Sequence, residues 1–308
     1  MKDLLPTLRR WQAAGRAIAL ARVVSTWGSA PRRPGAWMGI NDQGDIAGSV
    51  SGGCVEGAVR EAALEVLEGG TARLIEFGID NASAWTVGLS CGGKLEVVVQ
   101  RFPDEIELLE AIDEGRPVTW SFDLASGENA LQDGLDAKAP VMELVDTRII
   151  QTIPHPPLVL IVGGADIAVH LVQLAAQAGF ETVVVDPRAV FTGRDRFPVQ
   201  PTALHTKWPQ EVLPDLHLGP STFAVLLTHD PKIDDPALEI LFDSDVPYIG
   251  ALGGSKTQAA RRERLADAGH SQTDINRIRG PVGLKIGAAT PAEIAVSILA
   301  EIIQVKNG

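Results

Sequence analysis

The chain has 308 residues, more than one hydrophobic core usually holds, and its composition of 45% hydrophobic and 21% charged residues with 31 Gly and 20 Pro is that of a folded, turn-rich, two-domain protein. A formal net charge of −12, from 27 Lys plus Arg against 39 Asp plus Glu, and the lack of a long basic run exclude nucleic acid as the expected partner. No stretch of about 20 apolar residues occurs, and Arg16 and Arg22 interrupt the N-terminal apolar run, so neither a membrane span nor a signal peptide is expected and the protein is placed in the cytoplasm.

Leu4, Leu5, Leu8 and Trp11 recur at helical spacing up to Gly15, and a strand is expected from Ala17 to Ser25. The stretch from Trp27 to Gly35, with Pro31, Pro34, Arg32 and Arg33, has too many breakers for regular structure. After a turn at 42–45 the chain runs through Ile46-Ala-Gly-Ser-Val-Ser-Gly-Gly-Cys54 into a helix with Val55, Ala58, Val59, Ala62, Ala63, Val66 and Leu67 on one face. Gly69-Gly70 stops it. A second glycine loop, Gly88-Leu-Ser-Cys-Gly-Gly93, feeds a strand through Leu95, Val97 and Val99. A helix around 106–112 and strand-like runs at 117–124 and 141–149 follow, carrying no evident chemistry. Residues 1–150 thus form the first domain, and the Pro-rich segment 151–157 is the expected linker.

The second domain, 158–308, opens on the apolar run Leu158–Val162, a strand buried on both faces, followed by Gly163-Gly164 and the helix Ile167–Ala178. Strands at Thr182–Asp186, Phe223–Thr228 and Val246–Leu252 repeat the alternation of a doubly wound parallel sheet, a Rossmann-like α/β fold. The last helix begins at Thr290-Pro-Ala-Glu293, a capping box with Pro at its first position, and buries Ile294, Ile298 and Ile302 beside Ala295, Leu299 and Ile303.

Three groups of residues carry candidate chemistry. Gly163 and Gly164 let the backbone approach a pyrophosphate, although Ala165 stands where a dinucleotide fingerprint has its second glycine, and Asp186 sits about 20 residues on, where an acid binds ribose. The strand ends at Thr228-His229-Asp230 and Gly250–Lys256 face the ligand side of such a sheet, and the Gly253-Gly254-Ser255-Lys256 loop with Arg261 and Arg262 suits an anion such as phosphate; solvated decoration is the alternative for the arginines. Cys54 follows Gly52-Gly53 at a helix start, where the dipole favours a thiolate, and Cys91 precedes Gly92-Gly93. A small buried hydrophobe is the alternative for either thiol. With two cysteines and every histidine from His155 onward, an all-cysteine zinc site and a Cys–His pair within the first domain are both excluded.

Gly28-Ser-Ala-Pro-Arg32, Gly48-Ser-Val-Ser-Gly-Gly-Cys-Val-Glu56 and Leu89-Ser-Cys-Gly-Gly93 resemble the N-terminal signature of the xanthine dehydrogenase accessory (XdhC/CoxI) family. Asp186-Pro-Arg188, Thr228-His-Asp230, Tyr248-Ile-Gly-Ala-Leu-Gly253 and the 281–295 segment are similar to its Rossmann-like domain. The chain departs at Gly163-Gly-Ala-Asp166, where Gly-Ala-Gly-His is common, and at Lys256, which lacks a second basic neighbour. The resemblance implies a chaperone that binds molybdenum cofactor, with or without its nucleotide, supports its sulfuration and inserts it into an apo molybdenum hydroxylase, with a cysteine desulfurase as sulfur donor; a homodimer is the default assembly for a cytosolic protein. It assigns the thiol chemistry and a possible metal or persulfide contact to Cys54 and Cys91. Cofactor contacts fall to Arg32, Gly52, Gly53, Glu56, Gly92, Gly163, Gly164, Asp186, Arg188, His229, Asp230, Gly253, Gly254, Ser255 and Lys256. A Rossmann domain joined to a cysteine-bearing domain is also the build of an NAD(P)-dependent oxidoreductase, which stays the alternative. A purely structural adaptor is a third.

Overall fold

In the computed structural model, which describes residues 2–28, 32–78, 93–103, 106–135 and 139–308, the chain divides into two units, Met1–His155 and Pro156–Gly308. The first unit opens with helix α1 (Leu5–Ala13), which buries Leu5, Leu8 and Trp11 and ends at Gly15, whose φ of 66° lets the chain reverse. Strands β1 (Ile18–Trp27), β2 (Trp37–Asn41) and β3 (Ile46–Gly48), helix α2 (Glu56–Leu67), and strands β4 (Arg73–Phe77) and β5 (Lys94–Arg101) follow. The strands form one antiparallel sheet in the order β3-β2-β1-β5-β4.

The expected turn at 42–45 is present, with Asn41 Oδ1 accepting from the backbone N–H of Gln43 and Asp45. The strands flanking it were not expected. All five residues of β2 are buried, which removes the alternation that marks a strand, and β3 is three residues long. β1 also runs two residues past its expected end at Ser25.

Helix α3 (Ile106–Glu114) leads to a second antiparallel sheet of β6 (Val118–Asp123), β7 (Asn129–Asp133), β8 (Met142–Val145) and β9 (Arg148–Ile153), ordered β7-β6-β9-β8. The run expected at 141–149 is therefore a hairpin, which turns at Asp146 with φ 54°. Gln151, Thr152 and Ile153, expected to begin the linker, instead pair with Trp120, Thr119 and Val118, because their side chains fit the sheet face and their N–H groups find partners there.

Alternation along β1 separates two cores. Ala19, Ala21 and Val23 pack with Val59, Ala63 and Val66 of α2, while Ile18 and Leu20 pack with Trp37, Trp120 and the buried faces of α1 and α3. Arg22 lies on the second face with no exposed surface. Its Nη1 donates to Gln151 Oε1 at 3.2 Å and its Nη2 to Gln100 Oε1 at 2.5 Å, and the guanidinium sits 3.8 Å from the Trp120 ring centroid. Burial pulls its pKa down to about 9, and its Nε has no hydrogen-bond partner. The Trp37 indole N–H donates to the same Gln151 oxygen at 3.0 Å, so one polar seam joins the two sheets.

The second unit contains β10 (Leu158–Val162), α4 (Asp166–Gln177), β11 (Glu181–Val185), β12 (Ala203–His205), α5 (Pro209–Val212), β13 (Thr222–Leu226), α6 (Pro231–Phe242), β14 (Tyr248–Ala251), α7 (Ser255–Asp267), α8 (Gln272–Asn276), β15 (Ile278–Arg279) and α9 (Pro291–Asn307). Its six strands form a parallel sheet in the order β12-β11-β10-β13-β14-β15, confirming the doubly wound fold. Leu160 and Val162 face a core shared with α6 and α7, whereas Val159 and Ile161 face one shared with α4 and α9. The capping box forms as expected, with Glu293 N–H donating to Thr290 Oγ1 and Thr290 N–H to Glu293 Oε2. Tyr248 Oη donates to Glu301 Oε2 at 2.6 Å and ties α9 to the sheet. Among the described residues, no helix is long and apolar enough to cross a membrane.

The seam around Arg22 gives a test. Arg22→Ala removes the stacked guanidinium, deprives the Gln100 oxygen of its Arg22 donor and leaves the Gln151 oxygen with the Trp37 indole alone, an expected loss of ~2–4 kcal/mol in urea unfolding. Arg22→Met keeps the volume and removes a costly buried charge, so it is expected to recover part of that loss. An alanine variant as stable as the methionine variant would contradict this account.

Candidate functional site

The strand order reverses between β10 and β13, and a parallel sheet of this kind leaves its crevice beyond the carboxyl ends of those two strands. The turn after β10 is Gly163-Gly164. Gly163 has φ 109°, and a Cβ there would lie 2.7 Å from Thr228 Cγ2; one on Gly164 would lie 2.4 Å from the Phe191 carbonyl oxygen. Both positions therefore require glycine because loops from β11 and β13 close on the turn. Gly163, Gly164, Thr228 and Phe191 converge on one place, as expected of the strand ends.

Asp186, expected to meet a ribose, is instead committed internally. Its side chain has no exposed surface. Oδ2 accepts from Gly164 N–H at 2.9 Å and Arg188 Nη2 at 2.7 Å, and Oδ1 accepts from Arg188 N–H at 2.9 Å and Arg188 Nε at 2.8 Å. Burial pushes its pKa up, and the bonds from Arg188 and Gly164 outweigh that and hold it below the usual carboxylate range.

At the end of β13, His229 is exposed and adopts φ 59°, a left-handed conformation uncommon outside glycine. Asp230 serves as the N-cap of α6, its Oδ1 accepting from Lys232 N–H at 3.0 Å. Beneath them, Thr228 Oγ1 donates to Asp234 Oδ1, and Asp234 Oδ2 accepts from Arg261 Nη2 at 3.0 Å; both members of that ion pair are only 2% exposed. Burial raises the Asp234 pKa, against the opposing pull of Thr228 and Arg261. Arg261 also donates to Gln258 Oε1 and the Leu252 carbonyl, and Gln258 Nε2 donates to the carbonyls of Ala251 and Gly253.

This network corrects the anion reading of the arginines. Arg261 is a buried partner of Asp234, Arg262 donates to the carbonyls of Ile275 and Ile278, and Arg264 pairs with Asp235 at 2.9 Å. None of the three is available to the Gly253 loop. Solvated decoration fails as well for Arg261. The loop itself keeps Gly253 at φ 130°, Gly254 as an N-cap without a side-chain hydrogen bond, and Ser255 and Lys256 exposed on the first turn of α7. Asp234 was not singled out in the sequence, and Arg261 was read only as part of the anion loop, because nothing in the sequence links residues 27 positions apart.

In the first unit, Glu56 gathers the glycine loop. Its carboxylate accepts from Ser49 Oγ at 2.6 Å, Ser51 N–H at 2.8 Å, Ser51 Oγ at 2.5 Å and Gly53 N–H at 2.9 Å, with longer bonds from Val50 and Val55. Burial opposes ionisation, but the donors from Ser49 and Ser51 win and bring the pKa down to about 2. Gly52 and Gly53 are exposed at φ 74° and 116°. Cys54 is half-buried against the α2 core, and its N–H donates to Ser51 Oγ at 3.0 Å. The helix start expected to favour its thiolate is thus already met by Glu56. Arg32 is exposed. Cys91 and Gly92 lie outside the described residues, as do residues 29–31 of the arginine loop. Among the described residues, no three His, Cys, Asp or Glu side chains gather as a metal-ligand set.

Sequence comparison places these features among known proteins. A profile described as the XdhC and CoxI family matches residues 11–78, and one described as the XdhC Rossmann domain matches residues 159–302. The chain is 31% identical over 316 aligned positions to a Bacillus subtilis (strain 168) protein described as a probable xanthine dehydrogenase subunit, covering 94% of this chain and 93% of that protein. It is 27% identical to the molybdenum cofactor insertion chaperone PaoD of Escherichia coli (strain K12), covering 95% and 85%. In fold it resembles a crystal structure described as a xanthine dehydrogenase from Bacillus halodurans, with a TM-score of 0.77 at 22% identity over 98% of this chain and 95% of that one.

The Glu56 cradle lies within the first profile match and makes a pH-dependent contribution. Its folded pKa of about 2 lies below the ordinary 4.5, so the stabilisation is complete above pH 4.5 and disappears as pH falls through 2. Glu56→Gln is expected to cost ~1–2 kcal/mol at neutral pH, discounted for solvent screening, and to flatten the thermal-unfolding profile between those limits. An unchanged acid profile would contradict the assignment.

Proposed function

The chain belongs to the XdhC and CoxI family, and from that premise we propose that it is an accessory chaperone that carries molybdenum cofactor to an apo molybdenum hydroxylase of the xanthine dehydrogenase type. The cofactor is cargo in this reading, held while it is sulfurated, with a cysteine desulfurase as sulfur donor and a homodimer as the working assembly. The relatives' descriptions, as a xanthine dehydrogenase component and as a cofactor insertion chaperone, support a maturation role.

The observation that carries the reading is the crevice between β10 and β13. Its rim is made of glycine turns at 163–164 and 253–254, exposed His229, and the first turn of α7 with Lys256, while the acids Asp230, Asp234 and Asp166 are engaged in a helix cap, a buried ion pair and an exposed pair with Arg196. The N–H groups of Gly163 and Gly164 donate to Val185 and Asp186, so an anionic ligand on such a rim would meet the first turns of α4 and α7, with Lys256 on the latter. Taken by itself, the first unit offers Cys54 on its Glu56-built loop, a soft sulfur suited to a molybdenum centre or a persulfide. The NAD form of the nicotinamide alternative loses support from the commitment of Asp186 to Gly164 and Arg188, which leaves no acceptor for a ribose diol.

Anaerobic activation of a purified apo-hydroxylase by the cofactor-loaded chain tests the proposal. Wild-type protein is expected to activate the client, and Cys54→Ala to lower activation about tenfold, the scale of one lost contact to the cargo. Equal activation by the alanine variant would remove the thiol role; no activation by the wild type would remove the chaperone.

A further inference from the structure

We propose that the loop after β11 recognises a phosphate monoester and rejects the vicinal diol of an unphosphorylated ribose. In sheets of this order, the group at the end of the second strand selects between these two chemistries, an acid taking the diol and an arginine taking the phosphate. Here both residues are present, two positions apart, and they bind each other. Each oxygen of Asp186 accepts twice, and the side chain has no exposed surface, so no acceptor is left for hydroxyl groups. The same contacts grip Arg188 through Nε and Nη2 and leave Nη1 out of the clasp.

The guanidinium so held is stacked 4.4 Å from the Phe191 ring centroid, and its side chain is 38% exposed, so its orientation is set before any ligand arrives. A second guanidinium, that of Arg196, lies 5.5 Å from the same ring. Its Nε is buried without a hydrogen-bond partner, and its ion pair runs to Asp166, which is 79% exposed and therefore a weak tie. Phe191 itself lies against Gly164, so both arginines border the glycine turn at the start of α4. Asp166 is the acid on that rim which a phosphate must displace from Arg196. A monoester carries close to two charges and several acceptor oxygens, enough to engage both guanidinium groups, whereas a diol offers donors and acceptors with no charge.

The inference rests on the crevice being the ligand site, and the phosphate has two sources: the 2′-phosphate of a nucleotide, or the terminal phosphate of a pterin cofactor. Calorimetric titration of the full chain with NADP+ against NAD+, and anaerobically with molybdenum cofactor in its phosphate-monoester form against its dinucleotide form, separates them. The monoester of at least one pair is expected to bind about tenfold tighter or more, and the pair that shows this identifies the source. Arg188→Gln is expected to abolish the preference. Arg196→Gln, which touches only an exposed acid and a ring face, is expected to weaken the monoester severalfold and keeps the test informative should the first variant fold poorly. Equal affinities within both pairs, or a preference unchanged in both variants, would overturn the inference. Failure of both cofactor forms to bind would overturn the chaperone reading instead, whatever the nucleotides do.

Discussion

The second unit depends on one buried ion pair. Asp234 and Arg261 lie 3.0 Å apart, on two helices that follow neighbouring parallel strands, and neither is more than 2% exposed. Withdrawing two charges from water costs several kcal/mol each, and the mutual attraction offsets this only when the remaining donors and acceptors are also satisfied. Thr228 donates to the other oxygen of Asp234, and Gln258 and the Leu252 carbonyl accept from Arg261 while Gln258 donates to the carbonyls of Ala251 and Gly253. Each satisfied group is therefore also a tether, and together they fix the end of β13 against the loop after β14. The rim of the crevice takes its shape from this network, which leaves Arg261 Nε buried without a partner at a cost the other contacts offset.

The same economy of charge recurs at smaller scale. Asp186 organises the Gly164 turn and the Arg188 loop with one carboxylate, and Glu56 does the same for the Ser49–Val55 loop. In both places an anion facing converging N–H groups makes a glycine-rich loop definite, where glycine alone would leave it many conformations. Arg22 reverses the signs: a cation with only amide oxygens and an indole face around it joins two sheets.

Much of this architecture was legible in the sequence because its signals are local. The capping box at Thr290–Glu293, the apolar run of β10 and the glycine stops are decided within a few residues, and each formed where expected. β2 escaped because complete burial erased its alternation, and the 141–149 run hid a hairpin because Asp146 supplies a left-handed turn that glycine more often provides. The candidate site was legible as a set of positions and not as a set of roles. Arg261 looked like part of an anion site because its partner, Asp234, is remote in sequence, and Asp186 looked like a ribose acid because Arg188, two residues on, occupies it only in three dimensions. Pairing of charges is a tertiary fact, and it decides which charged residues remain for a ligand.

The central claim, that this chain binds molybdenum cofactor as cargo, is tested most directly by the molybdenum retained per chain after anaerobic loading and gel filtration. The account predicts retention approaching one equivalent per chain, lowered in a Gly253→Val variant, whose new side chain would press on Thr257 and distort the loop. Retention no greater than that of an unrelated acidic protein of similar size would contradict it.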